Sequence, residues 1–111
     1  MLGLNGFEMF CAMCVLHYLC DYALQGDFMA RAKNPKAPID GVPWDEVMHA
    51  HGIIHGGAVW LVTGCIWLGF AEWILHAVID LSKCHGHIGY RTDQRLHLGC
   101  KLLWGVLAWW C

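Results

Sequence analysis

At 111 residues the chain has room for one domain and one core. Hydrophobic residues make up 58% and charged residues 14%, against about 45–50% and about 25% in ordinary soluble chains. The seven tryptophans fit a bilayer, at whose edges this residue is favoured. We therefore predict a single membrane-embedded helical domain over residues 1–111. The formal net charge of −2 and the lack of a basic run give no reason to expect nucleic acid as a partner.

The first predicted helix covers residues 1–24 and is long enough to cross a bilayer at about 1.5 Å per residue. It has no basic segment and no small-residue cleavage site, so we expect a retained helix and not a secretory signal. His17 and Asp21 continue with Gln25 in steps of four, which places them on one helix face. Residues 26–43 are predicted to be a hydrophilic connection, because three prolines block regular helix there.

The second predicted helix opens near Trp44, after a turn that contains a proline, and runs to about Val62. His51 and His55 share a face of this helix, whereas His49 points about 160° away from His51. The glycines of the same helix would let a neighbouring helix approach closely. They also make homo-oligomerisation plausible for a bundle with so little internal volume.

The third predicted helix follows a tight hairpin. No charged loop separates Trp60 from Phe70, and only Thr63-Gly64 and Gly69 offer a turn. Helices two and three are therefore predicted to be antiparallel neighbours.

The third and fourth helices carry further polar steps of four. Glu72, His76 and Asp80 lie along one stripe of the third helix, which ends near residue 83. The fourth helix opens at Asp93 and continues to the C-terminus, with His97 one turn after Asp93. Ionisable side chains inside such apolar segments are costly unless they meet partners, metal or water.

The basic residues predict how the helices are oriented. Six of the seven lie in or beside the connections after helices one and three: Arg31, Lys33, Lys36, Lys83, Arg91 and Arg95. The positive-inside rule then places both connections in the cytoplasm and both termini outside, in a bacterial inner membrane. With this topology the polar residues of all four helices lie at one depth. We predict an all-α, polytopic four-helix bundle with a His/Asp cluster near its cytoplasmic side.

The residue types in this cluster are those that bind Zn²⁺, Mn²⁺ or Fe²⁺. The predicted metal ligands are His17, Asp21, His51, His55, His76, Asp80 and His97. The predicted catalytic carboxylates are Glu72 and Asp93, and the residues predicted to orient substrate are Gln25, Lys83 and Gln94. One tetrahedral zinc needs only three or four ligands, so we expect one or two divalent ions, with zinc favoured. A metal-free polar network that holds the bundle together is the alternative.

The polar residues follow four ordered motifs, which are His17-x-x-x-Asp21-x-x-x-Gln25, the His51/His55 pair, Glu72-x-x-x-His76-x-x-x-Asp80-x-x-Lys83 and Asp93-Gln94-x-x-His97. Together, over roughly residues 10–105, they resemble a small, largely uncharacterised family of integral membrane proteins from bacteria and their phages. The resemblance implies the architecture and the site, and it implies no reaction. A weaker likeness connects the chain to inner-membrane metal-dependent hydrolases, which also place His and Asp pairs on transmembrane helices.

Three classes of function fit these features. The first is a metal-dependent hydrolase acting on membrane lipid or on a lipid-linked, phosphate-containing substrate, and it is preferred to a di-iron enzyme because no His-His doublet occurs. The second is a non-catalytic phage or bacterial membrane factor of the exclusion or holin type. The third is an ion or proton conductor that uses the His and carboxylate side chains as a relay.

The cysteines complete the sequence expectations. There are seven, and most fall inside apolar helical stretches where a free thiol behaves as a small hydrophobe. A disulfide framework is therefore not expected.

Overall fold

The structure, a computed structural model, describes residues 2–111, and this range contains five α-helices and no β-strand. The helices are α1 (Gly6–Tyr18), α2 (Gly26–Ala32), α3 (Trp44–Thr63), α4 (Ile66–Cys84) and α5 (Tyr90–Leu107). A π-helical turn, Leu19–Ala23, continues α1, and a 3-10 turn, Ala108–Trp110, follows α5. The all-α prediction is confirmed. Met1, where the first predicted helix begins, lies outside the described residues.

A capping box formed by Asn5 and Glu8 defines the start of α1. The Asn5 side chain accepts a hydrogen bond from the Glu8 backbone N–H, and the Glu8 carboxylate accepts one from the Asn5 N–H. Two of the unpaired N–H groups at the helix start are thereby satisfied.

Helix α2 is the main departure from the predicted four-helix bundle. Gly26 adopts a φ of +64°, and the short helix that follows lies at 89° to the segment Gly6–Ala23. The prediction of an irregular connection is wrong for the first part of residues 26–43. The reason is that Pro35, Pro38 and Pro43 all come after α2, so none of them interrupts it.

Helices α3 and α4 are the predicted antiparallel neighbours, but one glycine has a different role. Gly64 ends α3 with a φ of +73°, and the chain reverses before α4 begins at Ile66. Gly69 is not part of this turn. It lies inside α4, where an added Cβ would stand 2.8 Å from the Gly56 carbonyl oxygen of α3. The two backbones pack so closely that only hydrogen fits between them.

An apolar core fills the half of the bundle that contains the α3–α4 turn. Its buried residues are Met13, Val59, Val62, Cys65, Leu68 and Trp104. A disulfide joins Cys65 to Cys111 at this end, and the other five cysteines are free. The chain therefore has no disulfide framework, but the expectation of free thiols fails for this one pair. The two cysteines are 46 residues apart, and no local sequence pattern predicts that tertiary packing brings them together.

The outer surface of the bundle is strongly apolar. Exposed side chains include Phe7 at 73%, Val15 at 68%, Trp67 at 73% and Ile74 at 61% of their full accessible area. Of the helices in residues 2–111, none taken alone combines the length and the apolar character that a membrane span requires. The bent pair made of Gly6–Ala23 and α2 meets that requirement in length and composition.

Candidate metal centre

Polar side chains from the four long helices, the π-helical turn and the residue that follows α2 are buried together in the bundle. Those on the long helices come from the C-terminal end of α1, the central part of α3, residues 72–80 of α4 and residues 93–101 of α5, and the alternating helix directions bring these segments side by side. The buried side chains are His17, Asp21, Lys33, His51, His55, Glu72, His76, Asp80, Asp93, His97 and Lys101. The structure thus brings together all the predicted metal ligands and both predicted catalytic carboxylates. His49 is exposed, on the side of α3 away from His51, as the helical spacing predicted.

The most complete group of ligand atoms contains Asp21, His51, His55 and His76, whose atoms all lie within 4.8 Å of one another. Asp21 Oδ1 is 3.1 Å from His51 Nε2, 2.9 Å from His55 Nε2 and 3.6 Å from His76 Nε2. Four ligands arranged tetrahedrally at about 2.0–2.1 Å from one ion would stand about 3.3 Å apart. The group therefore has the donor types and the spacing of a site for one divalent cation.

Two nitrogens of this group lack a hydrogen-bond partner anywhere in residues 2–111. They are His55 Nε2 and His76 Nε2, which belong to rings that are each 1% exposed and that stack with their centroids 3.6 Å apart. Asp21 Oδ1 is close to both nitrogens, but not in the geometry of a hydrogen bond. Buried polar atoms are nearly always satisfied. A cation between these atoms would supply the missing interaction.

Two further groups lie in the same cluster, the next one sharing His76 with the first group and the last one sharing His97 with the next. One contains only histidines, His17, His76 and His97. The other contains Asp80, Asp93 and His97, with His97 Nε2 3.0 Å from Asp80 Oδ1 and 3.5 Å from Asp93 Oδ1. Taken by distance alone, the cluster offers more than one place for a cation.

The groups differ more in their charge balance than in the spacing of their ligand atoms. Three of the four buried carboxylates each have a lysine partner: Lys101 donates to Glu72, Lys33 donates to Asp80, and Lys83 Nζ is 3.5 Å from Asp93 Oδ2. Within residues 2–111, neither lysine nor arginine forms an ion pair with the fourth carboxylate, that of Asp21, whose partners are three histidines of α1 and α3, the more distant His76, and Gln94. The negative charge that remains unbalanced is therefore at Asp21.

The comparison with known proteins covers almost the same stretch as the site. A family model described as a protein of unknown function (DUF3307) matches residues 9–110. The chain belongs to the DUF3307 family. The predicted resemblance to an uncharacterised family is confirmed at that level, and every residue of the buried cluster lies inside the matched range. No curated protein and no solved structure matches the chain.

Two lysines of this DUF3307 chain were missed as site residues by sequence reasoning. Lys101 lies one turn after His97 on α5, so the step of four that revealed Asp93 and His97 also pointed to it. Lys33 carries no such signal, because it follows α2 and reaches Asp80 only through the bend at Gly26. The sequence predicts Lys33 to be a basic residue of a hydrophilic connection, whereas in the structure it is only 4% exposed.

Glu72, predicted to be catalytic, has both carboxylate oxygens occupied. Lys101 donates to Oε1, and Trp104 Nε1 donates to Oε2 over 2.6 Å. Oε1 is also 3.3 Å from His76 Nδ1. This contact is not in the geometry of a hydrogen bond, but it places a carboxylate on the Nδ1 side of the ring and leaves Nε2 toward Asp21.

The three residues predicted to orient substrate lie on the less buried edge of the cluster. Gln94 Nε2 donates to Asp21 Oδ2 over 2.9 Å and to Asp93 Oδ2 over 3.2 Å, which links the two groups. Gln25 Nε2 donates to the Asp21 backbone oxygen over 2.8 Å, and its own Oε1 has no partner in the described chain. The Lys83 side chain is 30% exposed and lies 5.5 Å from the centre of the Tyr90 ring. This edge is where the cluster comes nearest to the surface.

Proposed function

We propose that this DUF3307 protein is a membrane-embedded, metal-dependent hydrolase that acts on a lipid or a lipid-linked, phosphate-containing substrate. The observation that carries the proposal is Asp21. It is a buried carboxylate surrounded by histidines at ligand spacing, the Nε2 atoms of His55 and His76 are unsatisfied, and no lysine balances its charge. A structural polar network would not require this asymmetry, because its groups would pair with one another.

The donor set of three imidazoles and one carboxylate suits Zn²⁺ best, and Mn²⁺ or Fe²⁺ also accept such ligands. A divalent ion held there would acidify a bound water and polarise a carbonyl or phosphoryl oxygen. Asp93 is the better placed proton acceptor, because Gln94 ties it to Asp21 while both oxygens of Glu72 are occupied. The water oxygen would bond to the phosphorus or carbonyl carbon of the substrate while its proton passes to Asp93. The bond from that atom to the leaving oxygen would then break, and Asp93 would return the proton to that oxygen.

The distribution of charge supports a position inside the bilayer. The carboxylates that make α4 and α5 less apolar are those of Glu72, Asp80 and Asp93, each at most 1% exposed, so lipid would not meet them. Away from the basic end of α5, the residues of these helices that face outward include large apolar ones, for example Ile74 and Leu102 at 61% and 56% exposure. Such a surface would contact acyl chains and let a lipid substrate approach from the side.

The two ends of the bundle differ in a way that supports the predicted orientation. Four basic residues are exposed near the metal centre: Arg31, Lys36, Arg91 and Arg95. The Cys65–Cys111 disulfide is at the opposite end, and disulfides persist in oxidising compartments. Both features favour a bacterial inner membrane with the metal centre toward the cytoplasm and the C-terminus outside.

The competing functions have less support. A relay of charge across the bundle would have to pass the apolar core around Met13, Val59 and Trp104, which offers no polar step except the Trp104 indole. An exclusion or holin-type factor would gain nothing from a buried cluster at ligand spacing. Homo-oligomerisation loses part of its basis, because Gly52 and Gly56 pack against α4 of the same chain.

Metal content tests the proposal. The full chain, purified in detergent, is stripped with a chelator, loaded with Zn²⁺ and desalted, and bound zinc is measured by mass spectrometry. We expect His55→Ala to lose the ion and His49→Ala, on the exposed side of the same helix, to keep it. A folded wild-type chain that retains no Zn²⁺, Mn²⁺ or Fe²⁺ would refute the proposal. Release of inorganic phosphate or fatty acid from phospholipid vesicles by the loaded wild type alone would then show hydrolysis.

A further inference from the structure

We infer that the metal centre holds one ion per chain, and that Lys33 and Lys83 occupy the place where a second ion would otherwise bind. This inference rests on the proposed function, because it concerns the same centre. It adds the number of ions and assigns a role to Lys33, a residue outside the helical motifs.

The second place is the group of Asp80, Asp93 and His97. Two aspartates and one histidine, each at most 1% exposed, are a common ligand set for a divalent cation. Asp93 Oδ1 has no hydrogen-bond partner in the described chain, so the group has a free ligand atom of its own. By spacing and donor type it is a second candidate cation site.

Lysines already neutralise this group. Lys33 donates to Asp80 Oδ2, and Lys83 stands 3.5 Å from Asp93 Oδ2. A divalent ion added here would meet two ammonium groups and two carboxylates, so its attraction to the carboxylates would be offset by repulsion from the lysines. At Asp21 the same ion meets a carboxylate that pairs with no lysine and three imidazole nitrogens at ligand spacing. The first ion therefore binds at Asp21, and a second is excluded.

The bend between α1 and α2 is what places Lys33 beside Asp80. The left-handed conformation of Gly26 turns α2 by 89°, and Lys33 is the residue immediately after that helix. Lys36, three residues later, is exposed. The bend thus selects one lysine of the connection for burial against Asp80 and leaves the next one outside.

The number of zinc ions per chain tests the inference. Chelator-stripped full chain in detergent is loaded with Zn²⁺ and desalted, and zinc is measured against protein. We expect one ion in the wild type, two in Lys33→Met, and one in both Lys33→Arg, which keeps the charge, and the exposed control Lys36→Met. Loading Lys33→Met with Mn²⁺ should give the spin-coupled resonance of two neighbouring ions, whereas the wild type should show a single uncoupled ion.

Each result decides between distinct conclusions. Two ions in the wild type would overturn the inference and leave the proposed metal function intact, and this holds even if Lys33→Met fails to fold. One ion in a folded Lys33→Met chain would also overturn the inference, because Lys33 would not be what excludes the second ion. No ion in a folded wild type would refute the proposed function itself.

Discussion

The pair of Glu72 and Lys101 should separate the stability of the bundle from its affinity for metal. Both side chains are 1% exposed, and Lys101 donates directly to Glu72 Oε1. Glu72→Gln would keep an acceptor for Trp104 but leave the Lys101 ammonium buried without a counter-charge. Breaking a buried pair in this way costs about 3–5 kcal/mol of unfolding free energy. The same change removes the carboxylate 3.3 Å from His76 Nδ1, and loss of such a partner weakens metal binding by about 10–100-fold.

The double variant Glu72→Gln/Lys101→Met distinguishes these two effects. It removes the stranded ammonium, so we expect it to recover much of the stability, although not the metal affinity, because His76 still lacks its carboxylate. Stability is measured by denaturant unfolding in mixed detergent micelles, and affinity by competition with a zinc chelator. Glu46→Gln, at an exposed position on α3, serves as the control and should change stability by less than about 0.5 kcal/mol. A double variant no more stable than Glu72→Gln would refute the assignment of an ion pair, and unchanged zinc affinity would refute the positioning of His76.

Two further predictions concern the fold. Gly56→Ala should destabilise the chain by about 1–3 kcal/mol, because its Cβ would collide with the Gly69 carbonyl oxygen of α4, whereas Gly57→Ala, with nothing within 4 Å of the added Cβ, should be neutral or stabilising by about 0.5–1 kcal/mol; equal effects in thermal unfolding would contradict the packing. Alkylation of the unfolded, unreduced chain should modify five cysteines, and seven after reduction, since one disulfide is present; seven modified cysteines without reduction would exclude that bond.

Helical periodicity was sufficient to group most of the site. Steps of four placed His17 beside Asp21, His76 beside Asp80 and Asp93 beside His97, because residues four apart lie on one face of any α-helix. These side chains meet in the structure across four helices. The same periodicity identified His49 as a residue that points elsewhere.

Long-range charge pairing was not predictable in this way. No pattern in the sequence pairs Lys33 with Asp80 or Lys101 with Glu72. The partners are 47 and 29 residues apart. These pairings decide which carboxylate remains available for a cation. Helix α2 was missed for a related reason, since its position depends on the single left-handed residue Gly26.

The sequence by itself determined the four long helices, their polar faces and the residue types of the centre, because these follow from local periodicity and composition. Only the tertiary structure decided that Asp21 is the one buried carboxylate of residues 2–111 without a lysine partner, that Gly56 and Gly69 bring two backbones together, and that Cys65 meets Cys111. The physical reason is that a charge is balanced by whatever group packing brings near it, and packing is set by the whole chain and not by any one segment.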